Sequence, residues 1–354
     1  MKTGKSFVKT FVLFALVFAL LFCSCSAAKK KASAIAVFVP GVISGSPVYE
    51  MLAQGVTEAV DKYNADQKPE DAVVLDVIEA GTNQAEWGSK ITALASSGKY
   101  DLIISSNSSL PEIIEPLTAQ FPKQKFIVLD AYLPDNKSIA TVRYNQREQG
   151  YLTGYAAGLV TVAEKTEMVF ANKAKKIALI AAQEYPVMNN TILPAFTEGA
   201  KAVDPEIEVE FRIVGNWYDG GKSADIAREL YLNDGVDVIL PIAGGANQGV
   251  IVTAKALGFY VAWFDDNGYE KAPGLVISSS VMGQKKMAYE LTEQYLAGKT
   301  AFGTAKTVGV ADGYVDFVLD DPLFVKAVPE SIRSKIEKVV LSIKNGELSL
   351  PVLD

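Results

Sequence analysis

The chain has 354 residues, 49% of them hydrophobic and 21% charged, and it contains no histidine. Without an imidazole, a Ser-His-Asp triad, a Cys-His pair and a His-ligated zinc or haem site are all excluded. A formal charge of −7 with pI near 5.0 speaks against a nucleic-acid partner, because that binding rests on neutralising phosphates with Lys and Arg.

The N-terminus reads as a targeting segment. Lys2, Lys5 and Lys9 precede an unbroken apolar run of 12 residues from Phe11 to Phe22, which is followed by Cys23-Ser24-Cys25-Ser26. The run falls short of the roughly 20 residues a membrane-spanning helix needs, so residues 1–24 are expected to be a signal peptide. Ser24-Cys25 resembles a bacterial lipobox, which makes Cys25 the expected lipidation site, with Cys23 as the alternative. No cysteine follows Cys25, so the mature chain cannot carry a disulfide framework. Residues 25–33 read as a polar tether. Removing residues 1–24 takes away three lysines and no acids, moving the formal charge from −7 to −10.

The remaining length suits two domains of roughly 150 residues each. β-branched runs recur at Ile35–Val39, Val73–Ile78, Leu102–Ser105, Phe126–Leu129, Ile177–Ala181, Glu208–Val214, Val238–Pro241 and Tyr260–Phe264. Between them lie helix-patterned segments at Tyr49–Tyr63, Glu86–Ser97, Pro111–Gln120, Gln146–Val160, Leu193–Val203, Lys222–Asn233 and Gly249–Leu257. Continuous apolar runs alternating with helices predict an α/β fold of parallel sheets covered on both faces. The series runs twice, ending once at Asp130 and again at Asp265. Two doubly wound lobes are therefore expected. Residues 34–142 would form the first, with part of 272–307, and 143–271 the second, with part of 308–354. In such sheets ligands sit beyond the carboxyl ends of the strands, so the cleft should be built from those loops.

The loops supply the candidates. After the first strand comes Pro40-Gly41-Val42-Ile43-Ser44-Gly45-Ser46-Pro47-Val48-Tyr49, a Gly-rich turn into a helix that lacks both nucleotide-binding glycine signatures. Ser46 there is a reasonable helix N-cap. The third strand ends in Ser105-Ser106-Asn107-Ser108-Ser109, uncharged donors suited to a neutral polar ligand, with one or two hydroxyls expected to cap the next helix. In the second lobe, Trp217 and Tyr218 stand in a Gly-rich loop as stacking platforms. Gly244 and Gly245 are read as allowing a ligand close to the backbone. Asp265 and Asp266 can accept hydrogen bonds from vicinal hydroxyls, Asp265 being the better placed. No second acidic cluster stands out, so neither a metal nor any other cofactor is expected.

These segments together resemble the basic membrane protein family of ABC-importer solute-binding lipoproteins, whose members include the purine nucleoside receptors of spirochaetes. The resemblance covers roughly residues 34–320. It rests on Leu94-Ala95-Ser96-Ser97-Gly98-Lys99-Tyr100-Asp101-Leu102-Ile103-Ile104, on Gly150-Tyr151-Leu152-Thr153-Gly154-Tyr155-Ala156-Ala157-Gly158, on Ala243-Gly244-Gly245 with Gly249-Val250, and on Val261–Asn267. It implies a type I periplasmic-binding fold with the ligand between the lobes. It also implies an ABC permease and ATPase as partners, and a membrane location, lipid-anchored, facing the periplasm or exterior. By that resemblance Trp217 stacks on the ligand ring, Asp265 binds ribose hydroxyls and Asn107 contacts the base.

Two departures bear on the ligand. Where the nucleoside receptors carry Asp-Asp/Asn and Ser-Phe-Asn after the first strand, this chain has Gly45-Ser46-Pro47-Val48-Tyr49, and where they carry a ribose-binding Lys it has Met282. An aromatic lining of Tyr49, Trp217 and Tyr218 replaces polar readers, which favours riboflavin, with a purine nucleoside as the alternative. The candidate ligand residues are Tyr49, Asn107, Trp217, Tyr218, Gly245 and Asp265. An enzyme acting on nucleosides or sugars would have to draw its acid and base from carboxylates such as Asp130 and Asp265. No paired acid motif or nucleophile elbow supports one, so no enzyme is expected; a ligand sensor is the remaining alternative.

Overall fold

Two sheets of six strands organise the protein in a computed structural model, which describes residues 33–352. The expected signal peptide, nearly all of the expected tether and Cys25 lie outside the described residues. The first sheet contains β1 (Ala34–Val39), β2 (Val74–Glu79), β3 (Leu102–Ser106), β4 (Lys125–Leu129), β5 (Ile139–Tyr144) and β11 (Ala305–Val308), in the order β11-β5-β4-β3-β1-β2. Every pair in it is parallel. The second contains β6 (Lys176–Ala181), β7 (Glu208–Ile213), β8 (Val238–Ile242), β9 (Tyr260–Asp265), β10 (Val276–Met282) and β12 (Val315–Phe317), in the order β12-β10-β9-β8-β6-β7. Only β12, paired with β10, runs antiparallel.

The orders 5-4-3-1-2 and 10-9-8-6-7 are the same topology used twice, so β4 corresponds to β9 and β5 to β10. The inner strands are buried on both faces: all six residues of β1 are buried, as are all five of β8. This is why their sequences are continuous apolar runs. The outer strands β2 and β7 are only partly covered, and Val74 and Val77, on opposite faces of β2, are both exposed. Here the expectation of burial on both faces gives way to the ordinary condition of a sheet edge.

Three crossings join the sheets. The chain leaves β5 for α4 (Gln146–Thr161), whose body packs with the second sheet. It returns after β10 into α8 (Gln284–Leu296), which lies on α1 (Pro47–Ala65), and goes back a last time between β11 and β12. The terminal α10 (Glu330–Lys344) then covers α4, with Ile332, Ile336, Val340 and Ile343 buried at helical spacing.

The depth of α4 is set by glycines. Gly150, Gly154 and Gly158 recur every four residues and so share one face. A Cβ on Gly154 would stand 1.9 Å from the Phe196 carbonyl oxygen of α5 (Leu193–Val203), and one on Gly199 of α5 would stand 2.1 Å from the Tyr151 carbonyl oxygen. The two backbones are in contact, which explains the Gly-Tyr-Leu-Thr-Gly-Tyr-Ala-Ala-Gly segment by packing. Gly154→Ala should therefore destabilise the fold by about 1–3 kcal/mol, the usual cost of overpacking. Gly88→Ala, whose Cβ meets only Ile113 at 3.8 Å, should be neutral or stabilising by about 0.5–1 kcal/mol, as in an open helix. Thermal unfolding of the two variants checks the opposite signs.

Candidate functional site

Loops at the carboxyl ends of both sheets close a cleft of about 340 Å3, lined by Tyr49, Asn107, Trp217, Tyr218, Gly245 and Asp265 together with Ser46, Ser106, Asp130, Gln146, Gln183, Tyr185, Phe264 and Met282, among others. All six candidates from the sequence are brought to one cavity. Gln183, Tyr185, Gln146 and Asp130 had not been singled out as ligand residues.

On the first lobe, Ser46 occupies the N-cap of α1 but makes no capping hydrogen bond through its side chain, and it faces the cleft. Pro47 at the first helical position needs no partner for a backbone N–H, so the helix starts without that help. Serine capping also fails at the helix after β3: Ser109 is the N-cap of α3 (Leu110–Gln120) without a side-chain bond, and the Asn107 Oδ1 instead accepts from the Ser109 N–H at 2.8 Å. This leaves the Asn107 amide nitrogen 3.5 Å from the Tyr49 hydroxyl. Burial pushes the Tyr49 phenol well above its ordinary range, so it stays a protonated donor.

On the second lobe, Asn216 Oδ1 accepts from the N–H groups of Tyr218 and Asp219, and Asp219 caps α6 (Gly220–Leu232) by accepting from Lys222 N–H. This double turn fixes Trp217. Its carbonyl accepts from Ala246 N–H at 3.1 Å, and Tyr185 backs its ring at a centroid distance of 6.1 Å and an angle of 42°. Gly244 has φ of +56°, and a Cβ there would meet the Trp217 carbonyl oxygen at 3.2 Å and ring at 3.4 Å. Trp217 therefore packs against Gly244, and both Gly244 and Gly245 still line the cleft. The lobes touch at the mouth: a Cβ on Gly45 would be 3.4 Å from the Gly245 Cα, and one on Gly41 would be 3.5 Å from the Tyr218 hydroxyl.

Asp130 and Asp265 stand at the carboxyl ends of the equivalent strands β4 and β9, and both adopt left-handed backbone, with φ of 52° and 78°. Non-glycine residues rarely do so, Asp and Asn excepted. Each carboxylate is held by an amide from the first turn of α4: Gln146 Nε2 donates to Asp130 Oδ1 at 2.7 Å, and Gln149 Nε2 to Asp265 Oδ1 at 3.3 Å. A spacing of three puts both glutamines on one helical face. Gln149 also donates to the Ser280 carbonyl at 3.1 Å. Asp266, by contrast, is occupied internally, accepting from Trp263 Nε1 and pairing with Lys271.

Burial pushes Asp130 up to about 7. Burial, with the negative charges of Asp130 and Asp266 added, pushes Asp265 up to about 7. Among the described residues no Lys or Arg lines the cleft, and no group of three or more metal-ligating side chains stands together. The site is thus a ring-lined slot with uncharged donors and two carboxylates.

The family follows from comparison. A family model described as ABC transporter substrate-binding protein, PnrA-like (Bmp), matches residues 32–353. The chain belongs to the Bmp family. Basic membrane protein D of Borreliella burgdorferi is 25% identical over 91% of this chain and 89% of its own length. A protein named ABC transporter nucleoside-binding protein BmpA, from Lactococcus lactis subsp. cremoris, is 24% identical over 71% of each chain. In fold, a solute-binding protein of an ABC transporter system from Aeropyrum pernix K1 superposes with a TM-score of 0.75 at 18% identity, covering 90% of this chain and 94% of that one. The Bmp chain described here therefore has the two-lobed fold of ABC solute-binding proteins.

The raised carboxylates make a stability prediction. A folded-state pKa near 7 against an unfolded value near 3.9 means that the folded protein holds more protons between those limits, so stability falls as pH rises from about 4 to about 7. Asp265→Asn, which keeps an acceptor for Gln149, should show a stability gain over wild type that widens across that window. The gain should level off above pH 7 at about 1–2 kcal/mol, below the full value of such a shift because solvent reaches the site. Denaturant unfolding without ligand at pH 4.5, 6 and 8 reads this directly.

Proposed function

We propose that this protein is the extracytoplasmic substrate-binding component of an ABC importer, lipid-anchored through Cys25, and that its cleft takes a purine nucleoside. The observation that carries the reading is the combination of ring walls with two carboxylates in one interlobe cleft. Trp217, backed by Tyr185, offers a face to the base, and Tyr49 stands on the other lobe. Asn107 can read a base edge because its amide nitrogen is bound only weakly to Tyr49. Asp265, aimed into the cleft and not tied up as Asp266 is, accepts from the ribose hydroxyls. The relative from Lactococcus is named for nucleoside binding, which supports the same choice.

Riboflavin, the first preference from the sequence, has less support. The cleft of about 340 Å3 lies at the small end of the ~300–1,000 Å3 usual for small-molecule pockets, which suits a base and sugar better than a three-ring flavin with a ribityl chain. Contact between the lobes at Gly45 and Gly245 further limits length in that direction. Binding without turnover is the proposed activity: Asp130 and Asp265 are each held by an amide of α4, and among the described residues lining the cleft no further pair offers a nucleophile with its base.

Isothermal titration of the purified protein with guanosine, inosine and riboflavin tests the reading. Micromolar or tighter binding of a purine nucleoside, intact after prolonged incubation, is the expected result; flavin uptake with no nucleoside binding would reverse it. Trp217→Ala should weaken nucleoside binding roughly 5- to 150-fold, matching the ~1–3 kcal/mol that a base–aromatic stack contributes.

A further inference from the structure

We propose that the cleft selects purine nucleosides whose base carries a positive charge, such as 7-methylguanosine, over their neutral parents, an inference that rests on the nucleoside reading of the same site. Charge balance in the cleft favours such a ligand. Two carboxylates line the cavity and no Lys or Arg does. Lys271 is committed elsewhere, paired with Asp266 and seated over the Trp263 ring. On the rim the added influence is again negative, from Glu79 acting on Tyr218.

A neutral nucleoside uses Asp265 through its ribose and leaves Asp130 with one amide bond, from Gln146. Closing a neutral ring over that carboxylate either desolvates a charge or requires it to take up a proton, and both cost free energy. A cationic ring removes the conflict by supplying the opposite charge.

The walls favour the same ligand. Tyr49, Tyr185, Trp217 and Tyr218 all line the cleft, and aromatic faces attract cations most strongly where water is excluded. A second, independent feature marks this end of the cleft as a ligand-contacting surface: the Ser106 hydroxyl, at the end of β3 next to β4, is 1% exposed, lines the cavity and has no hydrogen-bond partner. Buried hydroxyls in that condition are uncommon. It can meet a ring carbonyl or amine beside Asp130. Alkylation at N7 leaves both the Watson–Crick edge and the ribose free for these groups while placing the charge on the ring.

The test is a calorimetric comparison, slightly below neutral pH, of guanosine, 7-methylguanosine and 7-deaza-7-methylguanosine, which has the same bulk and no charge. The expected result is 7-methylguanosine binding at least tenfold more tightly than either neutral compound, about 1.4 kcal/mol, with Asp130→Asn bringing the ratio close to one. Guanosine binding as tightly as 7-methylguanosine, or the neutral isostere matching the cation, overturns the inference and leaves the nucleoside reading standing. Binding of none of the three overturns the nucleoside reading itself. The wild-type comparison decides the matter even if the Asp130 variant fails to fold.

Discussion

One turn of helix holds a carboxylate from each half of this protein. Gln146 and Gln149, three residues apart at the start of α4, donate to Asp130 of the first lobe and Asp265 of the second. The rest of the architecture can be followed outward from that arrangement. Equivalent topologies place the two aspartates at equivalent strand ends, and the first crossing between the sheets delivers α4 to the seam between them. The glycine face of α4 against α5 fixes how deep the helix sits, and with it the reach of both amides. Burial of carboxylates with no lining cation then stores an electrostatic demand that a ligand can meet by donating hydrogen bonds or by carrying charge.

The ring walls answer a different requirement. A loop that must present Trp217 to a cleft cannot rely on a packed core, so hydrogen bonds do the positioning: the Asn216 turn, the Asp219 cap and the bond from Ala246 N–H to the Trp217 carbonyl. Gly244 and Gly245 allow two loops to lie against each other, and Gly45 repeats the device across the mouth. Shape here comes from backbone-to-backbone contact, which leaves the side chains of the lining to the ligand.

Much of the fold was legible because its inner strands are buried on both faces and so read as apolar runs. β10 was not. Its Val-Ile-Ser-Ser-Ser-Val-Met carries three fully buried serines, of which Ser279 accepts from Gly268 N–H and Ser280 bonds Thr153, so hydropathy gives it no signature. α8 was hidden for another reason: its lysines and glutamates mask the few residues that meet α1. In the site, Trp217 and Asp265 were legible from loop chemistry and strand ends. Asp130 was visible as the counterpart of Asp265 in the repeated series but was read only as a possible acid or base. Gln146 and Gln149 carried no signal, because an amide on a helix reads as solvated surface until the fold places a carboxylate beside it. Ser46 looked like a cap, and the proline after it made the cap unnecessary.

The most direct measurement of this account is the number of protons exchanged when a purine nucleoside binds at pH 7, obtained from calorimetry in two buffers of different ionisation enthalpy. Carboxylates with folded pKa values of about 7 are half protonated there, and hydroxyl or N–H donors favour their ionised forms. In the Asp130→Asn variant, which leaves Asp265 as the titrating partner of the ribose hydroxyls, binding should therefore release up to about 0.5 proton. No exchange, or uptake of protons, would contradict the claim that the ribose is received by the Asp265 carboxylate held on α4.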